Sequence, residues 1–378
     1  MIRLKRGKER PILHGHHWIY SGAVQQAEFE DGDLAEVFSA EGKKLGIAAV
    51  ARGRSILGHM LAFGEETVSE ALEKRIREAV AFRRRWFDER TNAVRIVNAE
   101  GDGIPGLIVD QYRDVLVMQV SNPGIERVKG EIVELLKELG PRCIYEKSTS
   151  FMRKKEGLGE VRGVLYGEEV GEVEVLEKGL KYSVDIVHGQ KTGLFLDQRE
   201  MRSLVRELGA KRVLNCFAYT GGFTVSALAG GAEVVDSVEI SAKCGPRIEK
   251  NLALNALNGA HRFIQADVFD VKDWNYDLVI LDPPAFVKKR TDIDKAFRAY
   301  KDLNAQAMRH MPAGSLLLTC SCSYHVEESL FQNILFRAAL DAGRKVRILE
   351  RHRQAHDHPV SIFHPESTYL KSFLLYIN

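Results

Sequence analysis

Arg212-Val213-Leu214-Asn215-Cys216-Phe217-Ala218-Tyr219-Thr220-Gly221-Gly222-Phe223-Thr224, residues 212–224, runs from an apolar strand through a glycine turn into an apolar helix. Glycines at such a turn let backbone N–H groups approach a ligand closely at the start of a helix. The stretch lacks both the Gly-x-Gly-x-x-Gly pattern and the lysine of a phosphate loop, so it suits another adenosine-containing ligand better than a dinucleotide or a triphosphate. Alone, the glycine pair reads equally well as a plain tight turn. The next strand, 234–239, ends on Glu239, where a carboxylate can accept hydrogen bonds from both hydroxyls of a ribose. After the third strand, Gln265-Ala266-Asp267 puts an acid where an adenine amino group can donate to it. The fourth strand, 276–282, ends in Asp282-Pro283-Pro284-Ala285-Phe286, and the fifth, 315–319, runs into Thr319-Cys320-Ser321-Cys322-Ser323. Helices are expected over 243–256 and near 294–311. Continuous apolar strands alternating with helices predict a doubly wound, Rossmann-like α/β domain, with its ligand at the carboxyl ends of the strands where their order reverses.

Upstream the pattern changes. Residues 1–66 alternate short apolar runs with Gly and Asp turns, which predicts a small β-barrel module. Residues 67–175 read as a connecting helix followed by an α+β domain with strands at 94–97, 107–110 and 115–120 and a helix near 124–138. The alternating strands and helices fill 176–378. A length of 378 residues suits two or three domains, 45% hydrophobic and 28% charged residues are ordinary globular composition, and no apolar run is long enough to span a bilayer. The basic N-terminus is not followed by an apolar stretch, so a cytoplasmic location is expected. The five cysteines read as reduced thiols rather than as a disulfide framework or a zinc site. The net charge of +2 decides nothing about nucleic acid, but Arg3, Lys5, Arg6, Lys8 and Arg10, and again Arg83, Arg84 and Arg85, cluster so that they can track phosphates or form solvated faces. His14, His16 and His17 have no acidic or cysteine partner at ligand spacing, so no metal is expected.

The succession of the 215–223 turn, Glu239, Gln265-Ala266-Asp267, Leu281-Asp282-Pro283-Pro284-Ala285-Phe286 and Thr319-Cys320-Ser321-Cys322-Ser323 resembles the class I S-adenosylmethionine-dependent methyltransferases. His188 to Arg199 is similar to a segment that closes over the cofactor in one branch, the large-subunit ribosomal RNA cytosine-5 methyltransferases with an N-terminal PUA domain. The resemblance spans the chain, with His16-His17-Trp18-Ile19-Tyr20 in the PUA part and residues 98–112 in the central domain. It implies S-adenosylmethionine as cofactor and 23S ribosomal RNA as partner, with no membrane, and it is compatible with a homodimer.

Cytosine C5 is a weak nucleophile, so a thiolate adds at C6 to activate it. The resemblance assigns that thiolate to Cys322, which is followed by Glu327-Glu328; Cys320 fits the Thr-Cys-Ser part of the pattern equally well, and a pair of small core residues is the plain alternative. Asp282 is expected to hydrogen-bond the base amino group and N3, or else to position its loop. Ala285 stands where amine methyltransferases usually carry an aromatic, and Pro284 where many RNA cytosine-5 enzymes carry a second cysteine. Gln190, Lys191, Thr192 and Arg199 are expected to hold the methionine carboxylate and Asp197 its ammonium, with Phe195 or Phe217 against the adenosine and Asn215, Tyr219 and Gly221 completing the cofactor loop. Cys143, Cys216 and Cys244 read as structural. The rivals are a guanine N-methyltransferase without a covalent intermediate and an RNA-binding assembly factor that keeps the cofactor site as scaffold.

Overall fold

The computed structural model describes residues 1–257, 259–287 and 292–378. Two compact units emerge, one of Met1–Leu176 with Val184–Leu196 and His356–Ser367, the other of Glu177–Ser183, Asp197–Ala355 and Thr368–Asn378.

The first unit opens with β1 (Ile2–Leu4), α1 (Arg10–Leu13), β2 (Trp18–Tyr20), β3 (Val24–Ala27), β4 (Leu34–Phe38), β5 (Lys44–Val50) and β6 (Ile56–Phe63), in a six-stranded sheet ordered β2-β6-β5-β4-β1-β3. Its core gathers Ile2, Leu4, Val37, Ala48 and Met60, all fully buried. Gly46 sits at φ +141° where β5 meets β6, and a Cβ there would lie 2.1 Å from the Ala62 carbonyl oxygen, so only glycine fits. Next comes α2 (Val68–Trp86), started by a capping box between Thr67 and Glu70. It is more than a connector, because Val68, Leu72, Ile76 and Ala79 join one core with β7 (Ala93–Asn98), β8 (Leu107–Tyr112) and β9 (Val115–Val120). With α3 (Pro123–Lys137), β10 (Cys143–Ser148), α4 (Phe151–Lys155) and β11 (Val161–Gly167), these build a sheet ordered β11-β10-β9-β8-β7. A hairpin, β12 (Glu172–Glu177) and β13 (Leu180–Asp185), follows.

The second unit contains α5 (Arg199–Leu208), β14 (Arg212–Cys216), α6 (Gly222–Ala229), β15 (Val234–Glu239), α7 (Cys244–Leu254), β16 (Ala260–Gln265), β17 (Leu278–Leu281), α8 (Ile293–His310), β18 (Leu316–Ser321), α9 (Glu328–Ala342), β19 (Val346–His352) and β20 (Lys371–Ile377). Their sheet runs β16-β15-β14-β17-β18-β20-β19. The first five strands in that order are parallel and β20 is antiparallel to both its neighbours. Strand periodicity explains the two covered faces: Leu214, Cys216 and Val238 share a core with α8 and α9, while Asn215 and Ser237, one residue out of phase, meet Thr224 of α6. The Rossmann-like expectation holds; the antiparallel end of the sheet was not foreseen. Among the described residues, no helix is long and apolar enough to cross a membrane.

Candidate active site

The strand order reverses between β14 and β17, which pair with Cys216 opposite Leu281. The loops that follow therefore leave the sheet side by side, where a parallel α/β sheet binds its ligand. In the loop after β14, Phe217 and Tyr219 have φ values of +61° and +49°, followed by Gly221 at +80°. A non-glycine residue held in that region costs about 1–3 kcal/mol and persists where its surroundings enforce it, commonly at a ligand site. Here the enforcement is visible: the Tyr219 N–H donates to Glu239 Oε2 at 3.1 Å, Ala218 N–H to the Val238 carbonyl at 3.1 Å, and Asn251 Nδ2 to the Thr220 carbonyl at 2.8 Å. Beneath the loop Asn215 donates to Thr224 at 2.9 Å, and its buried Oδ1 has no hydrogen-bond partner among the described residues.

Glu239 is half-buried and also accepts from Ser241 N–H at 3.2 Å. A carboxylate has about four lone-pair sites, so two backbone contacts leave capacity for a diol. Asp267 is exposed and caps a short turn by accepting from Phe269 N–H at 3.0 Å. Each acid has an exposed apolar neighbour that sequence reasoning missed, Ile240 at 68% and Phe269 at 42% exposure. Adjacent carboxylates and apolar side chains at strand ends fit an adenosine, whose sugar and amino group need acceptors and whose ring needs apolar faces. The signal was present in the sequence as apolar residues one position after Glu239 and two positions after Asp267.

At the other side of the switch point, Asp282 follows β17 and accepts from Gln198 Nε2 at 2.8 Å. Cys322 lies just beyond the end of β18, half-buried, with its Sγ 3.7 Å from the Pro283 carbonyl oxygen. Cys320 is fully buried inside the strand, and burial together with the Asp282 charge pushes its thiol well above the usual range. The two-residue spacing suggested a shared face only if the strand continued; β18 stops at Ser321 and the two thiols part company. Facing Ser321 across the sheet is Lys371 of β20, whose buried ammonium donates to the carbonyls of Ser323 at 2.7 Å and Tyr369 at 2.6 Å. Burial lowers its pKa to about 8, against the opposing pull of Cys322, Glu327 and Glu328. Neither Lys371 nor Gln198 was singled out from sequence, although a lysine opening an otherwise apolar strand is a legible oddity.

Residues 157–359 match the family of S-adenosylmethionine-dependent methyltransferases, and residues 2–63 match a PUA-like domain. The chain belongs to the S-adenosylmethionine-dependent methyltransferases. Within that family it is 40% identical to ribosomal RNA large subunit methyltransferase I of Aeromonas salmonicida, over 99% of this chain and 98% of the relative. The Vibrio cholerae protein of the same name is 39% identical over 98% of each chain. A solved Streptococcus mutans protein, assigned to the SAM-dependent methyltransferases, superposes with a TM-score of 0.85 at 25% identity, over 99% of this chain and all of that one.

Other candidate residues of this methyltransferase have partners that redefine their part. In the first unit, the Thr192 hydroxyl donates to Asp110 at 2.6 Å and meets the Tyr112 hydroxyl at 2.9 Å, while Asp110 is held by Arg95 at 2.7 and 3.0 Å. Thr192, expected to hold a ligand carboxylate, is enclosed in this buried network. Gln190 and Lys191 are exposed, and the Lys191 ammonium sits 4.3 Å from the centre of the Phe195 ring. In the second unit, Asp197 accepts from the Tyr369 hydroxyl at 2.7 Å. Arg199, expected at a ligand carboxylate, is fully buried with its Nε 3.4 Å from Glu177. Arg83 likewise leaves the proposed phosphate-tracking cluster, because it is buried in a bidentate pair with Asp102 at 2.5 and 2.7 Å. Lys5, Arg6, Lys8 and Arg10 are exposed, as are Arg84 and Arg85. All five cysteines are free. The expectation that His16 lacks an acidic partner is also corrected, since Glu366 reaches it from 350 positions away.

Proposed function

We propose that this methyltransferase acts on a cytosine in large-subunit ribosomal RNA, methylating C5 through a covalent adduct to Cys322. The observation that carries this reading is the half-buried Cys322 thiol against the Asp282-Pro283 loop at the switch point. The ribosomal substrate is supported by the names of relatives near 40% identity over the full chain, and the exposed Lys5, Arg6, Lys8 and Arg10 of the PUA-like domain suit phosphate contacts. Bound S-adenosylmethionine supplies a methyl group as an electrophile. The Glu239 carboxylate holds the ribose hydroxyls, Asp267 the adenine amino group, and Ile240 and Phe269 flank the ring. Cys322 as thiolate would form a bond to C6 while the C5–C6 electron pair moves through the ring to N3, which takes up a proton supplied by solvent; the Asp282 carboxylate would accept from that N3–H and from the amino group. C5 is thereby made nucleophilic. Once the methyl group is bonded to C5, solvent would take the C5 proton; the electron pair of that C–H bond re-forms the C5–C6 double bond as the C6–S bond breaks and the thiolate leaves, and the proton on N3 returns to solvent. Gln198 keeps Asp282 in orientation, and the Lys371 ammonium favours the thiolate form of its neighbour.

The test is methyl transfer from labelled S-adenosylmethionine to unmodified 23S ribosomal RNA, with the product nucleoside identified by mass. 5-Methylcytidine supports the reading, and a methylated guanosine overturns it.

Two variants probe its parts. Glu239→Gln is expected to weaken S-adenosylmethionine binding by about 10–100-fold, since hydrogen bonds to a charged acceptor contribute about 1.5–3 kcal/mol. Calorimetry with the cofactor and its 2′-deoxy analogue checks the cause: the analogue should bind wild type more weakly but lose less on mutation. Lys371→Met should lower kcat/KM near neutral pH by about 10-fold through loss of thiolate support. Since Lys371 titrates at about 8, its charge is present below that pH and lost above it. Wild-type activity should therefore decline as the pH rises through that value, and the variant should lack this limb while its acidic limb moves upward.

A further inference from the structure

The first unit carries a cluster of ionisable groups that the methyl-transfer steps proposed above do not use. We propose that His16, His364 and Glu366 form a site for a divalent transition-metal ion of the zinc type. One ligand atom from each lies within 4.8 Å of the other two. His16 Nε2 is 3.2 Å from Glu366 Oε1, His364 Nδ1 is 3.9 Å from Glu366 Oε2, and the two imidazole rings have centroids 4.6 Å apart.

The independent observation is that the polar atoms here lack return for their burial. Among the described residues, His364 is fully buried with neither ring nitrogen hydrogen-bonded, and Glu366 Oε2 is buried without a hydrogen-bond partner. A protein rarely leaves an imidazole and a carboxylate oxygen desolvated and unpaired, because each such group destabilises the fold. A cation accepts the lone pairs of both at once. Two imidazole nitrogens and one carboxylate oxygen are the donor set of Zn2+ and its borderline neighbours rather than of Mg2+ or Ca2+, which prefer oxygen.

His16 is also equipped for the change of tautomer that binding needs. Its Nδ1 lies 3.2 Å from the Trp18 N–H and 3.4 Å from the Trp18 carbonyl oxygen. Without metal, Nδ1 accepts from the N–H and the Nε2 proton faces Glu366. With metal on Nε2, the proton moves to Nδ1 and is donated to the carbonyl, the usual outer-shell arrangement of a metal-bound histidine. The Trp18 indole, edge-on to His364, donates to the Glu100 carboxyl group at 3.0 Å, and burial raises the pKa of that group. Tetrahedral zinc with bonds of about 2.1 Å sets ligand atoms about 3.4 Å apart, so the side chains draw in by roughly an ångström on binding, and solvent supplies the fourth ligand. The ion would pin the segment around His364 to β2 as a structural clip.

The test uses tag-free full-length protein, stripped with chelator and titrated with Co2+ and then Zn2+. We expect one Co2+ per chain with the strong visible absorption of four- or five-coordinate cobalt, displacement by Zn2+, and a rise in melting temperature with either ion. Glu366→Gln and His16→Ala should each weaken binding by at least about 100-fold, with unchanged circular dichroism; they are chosen because His364→Ala opens a cavity and can fail to fold. Cys322→Ser should bind as wild type. Absence of saturable binding up to roughly millimolar metal, titrations of both variants that match wild type, or loss of the signal in Cys322→Ser would each overturn the proposal.

Discussion

Cys322→Ser is expected to lower kcat by about 10⁴-fold or more, equivalent to ~5.5 kcal/mol at 1.36 kcal/mol per decade. A serine hydroxyl is far too weak an acid to supply the anion that adds to C6 at neutral pH, and no partial route is left once C5 cannot be activated. Cys320→Ser should behave differently: that side chain is fully enclosed in β18, so its effect falls on stability rather than on the chemical step. RNA carrying 5-fluorocytosine at the target separates the two roles without relying on rates. Fluorine at C5 cannot leave as a proton does, so the enzyme–RNA adduct accumulates and migrates as one species under denaturing conditions. Wild type and Cys320→Ser should form it in the presence of S-adenosylmethionine, and Cys322→Ser should not. A Cys322→Ser enzyme retaining more than about a tenth of wild-type kcat would remove the covalent step from the mechanism.

The parallel part of the sheet was legible because its strands carry apolar runs and end at chemically distinctive residues: Glu239 closes β15, Asp267 and Asp282 come just after β16 and β17, and Cys320 and Cys322 sit in and just beyond β18. Other features depend on registers that sequence does not carry. Lys371 matters because β20 returns antiparallel to β18 and places it opposite Ser321, and a terminal apolar run says nothing of the strand it will join. Cys320 and Cys322 are equivalent by spacing; what separates them is where the ladder ends. Arg83 and its neighbours look alike as a basic run, yet a helix turns successive residues by 100°, and Arg83 falls on the side of Asp102 while Arg84 and Arg85 face solvent. Thr192 and Arg199 were named from resemblance alone, and their buried partners, Asp110 and Glu177, lie 82 and 22 positions away. His16 was judged by its neighbours in the chain, which cannot reveal Glu366.

Glu177 marks the position where loss of one side chain should cost the most stability. Its carboxylate receives Arg202 in a bidentate pair at 2.6 and 2.7 Å and lies 3.4 Å from Arg199, with all three side chains almost wholly buried. Burial would disfavour the Arg202 charge, yet the Glu177 carboxylate more than offsets that effect and raises the arginine's pKa. Glu177→Ala strands this cation in a low-dielectric interior, and breaking such a pair from one side costs ~3–5 kcal/mol. For a folding unit of this size that corresponds to a fall in melting temperature of about 10 °C. Glu177→Gln should be nearly as damaging, because it keeps the shape and removes the charge. If the stranded cation is the cause, adding Arg202→Met to Glu177→Ala should recover part of the loss, since an apolar replacement of both partners is often neutral. The damage should also reach the cofactor loop. Arg202 packs under the start of α6, where a Cβ on Gly222 would stand 3.0 Å from its Cδ, and Tyr182 donates to the Gly222 carbonyl at 3.4 Å. Thermal unfolding and S-adenosylmethionine affinity should therefore fall together in Glu177→Ala and recover together in the double variant; a loss below about 1 kcal/mol would mean that the buried pair is not what holds this side of the loop.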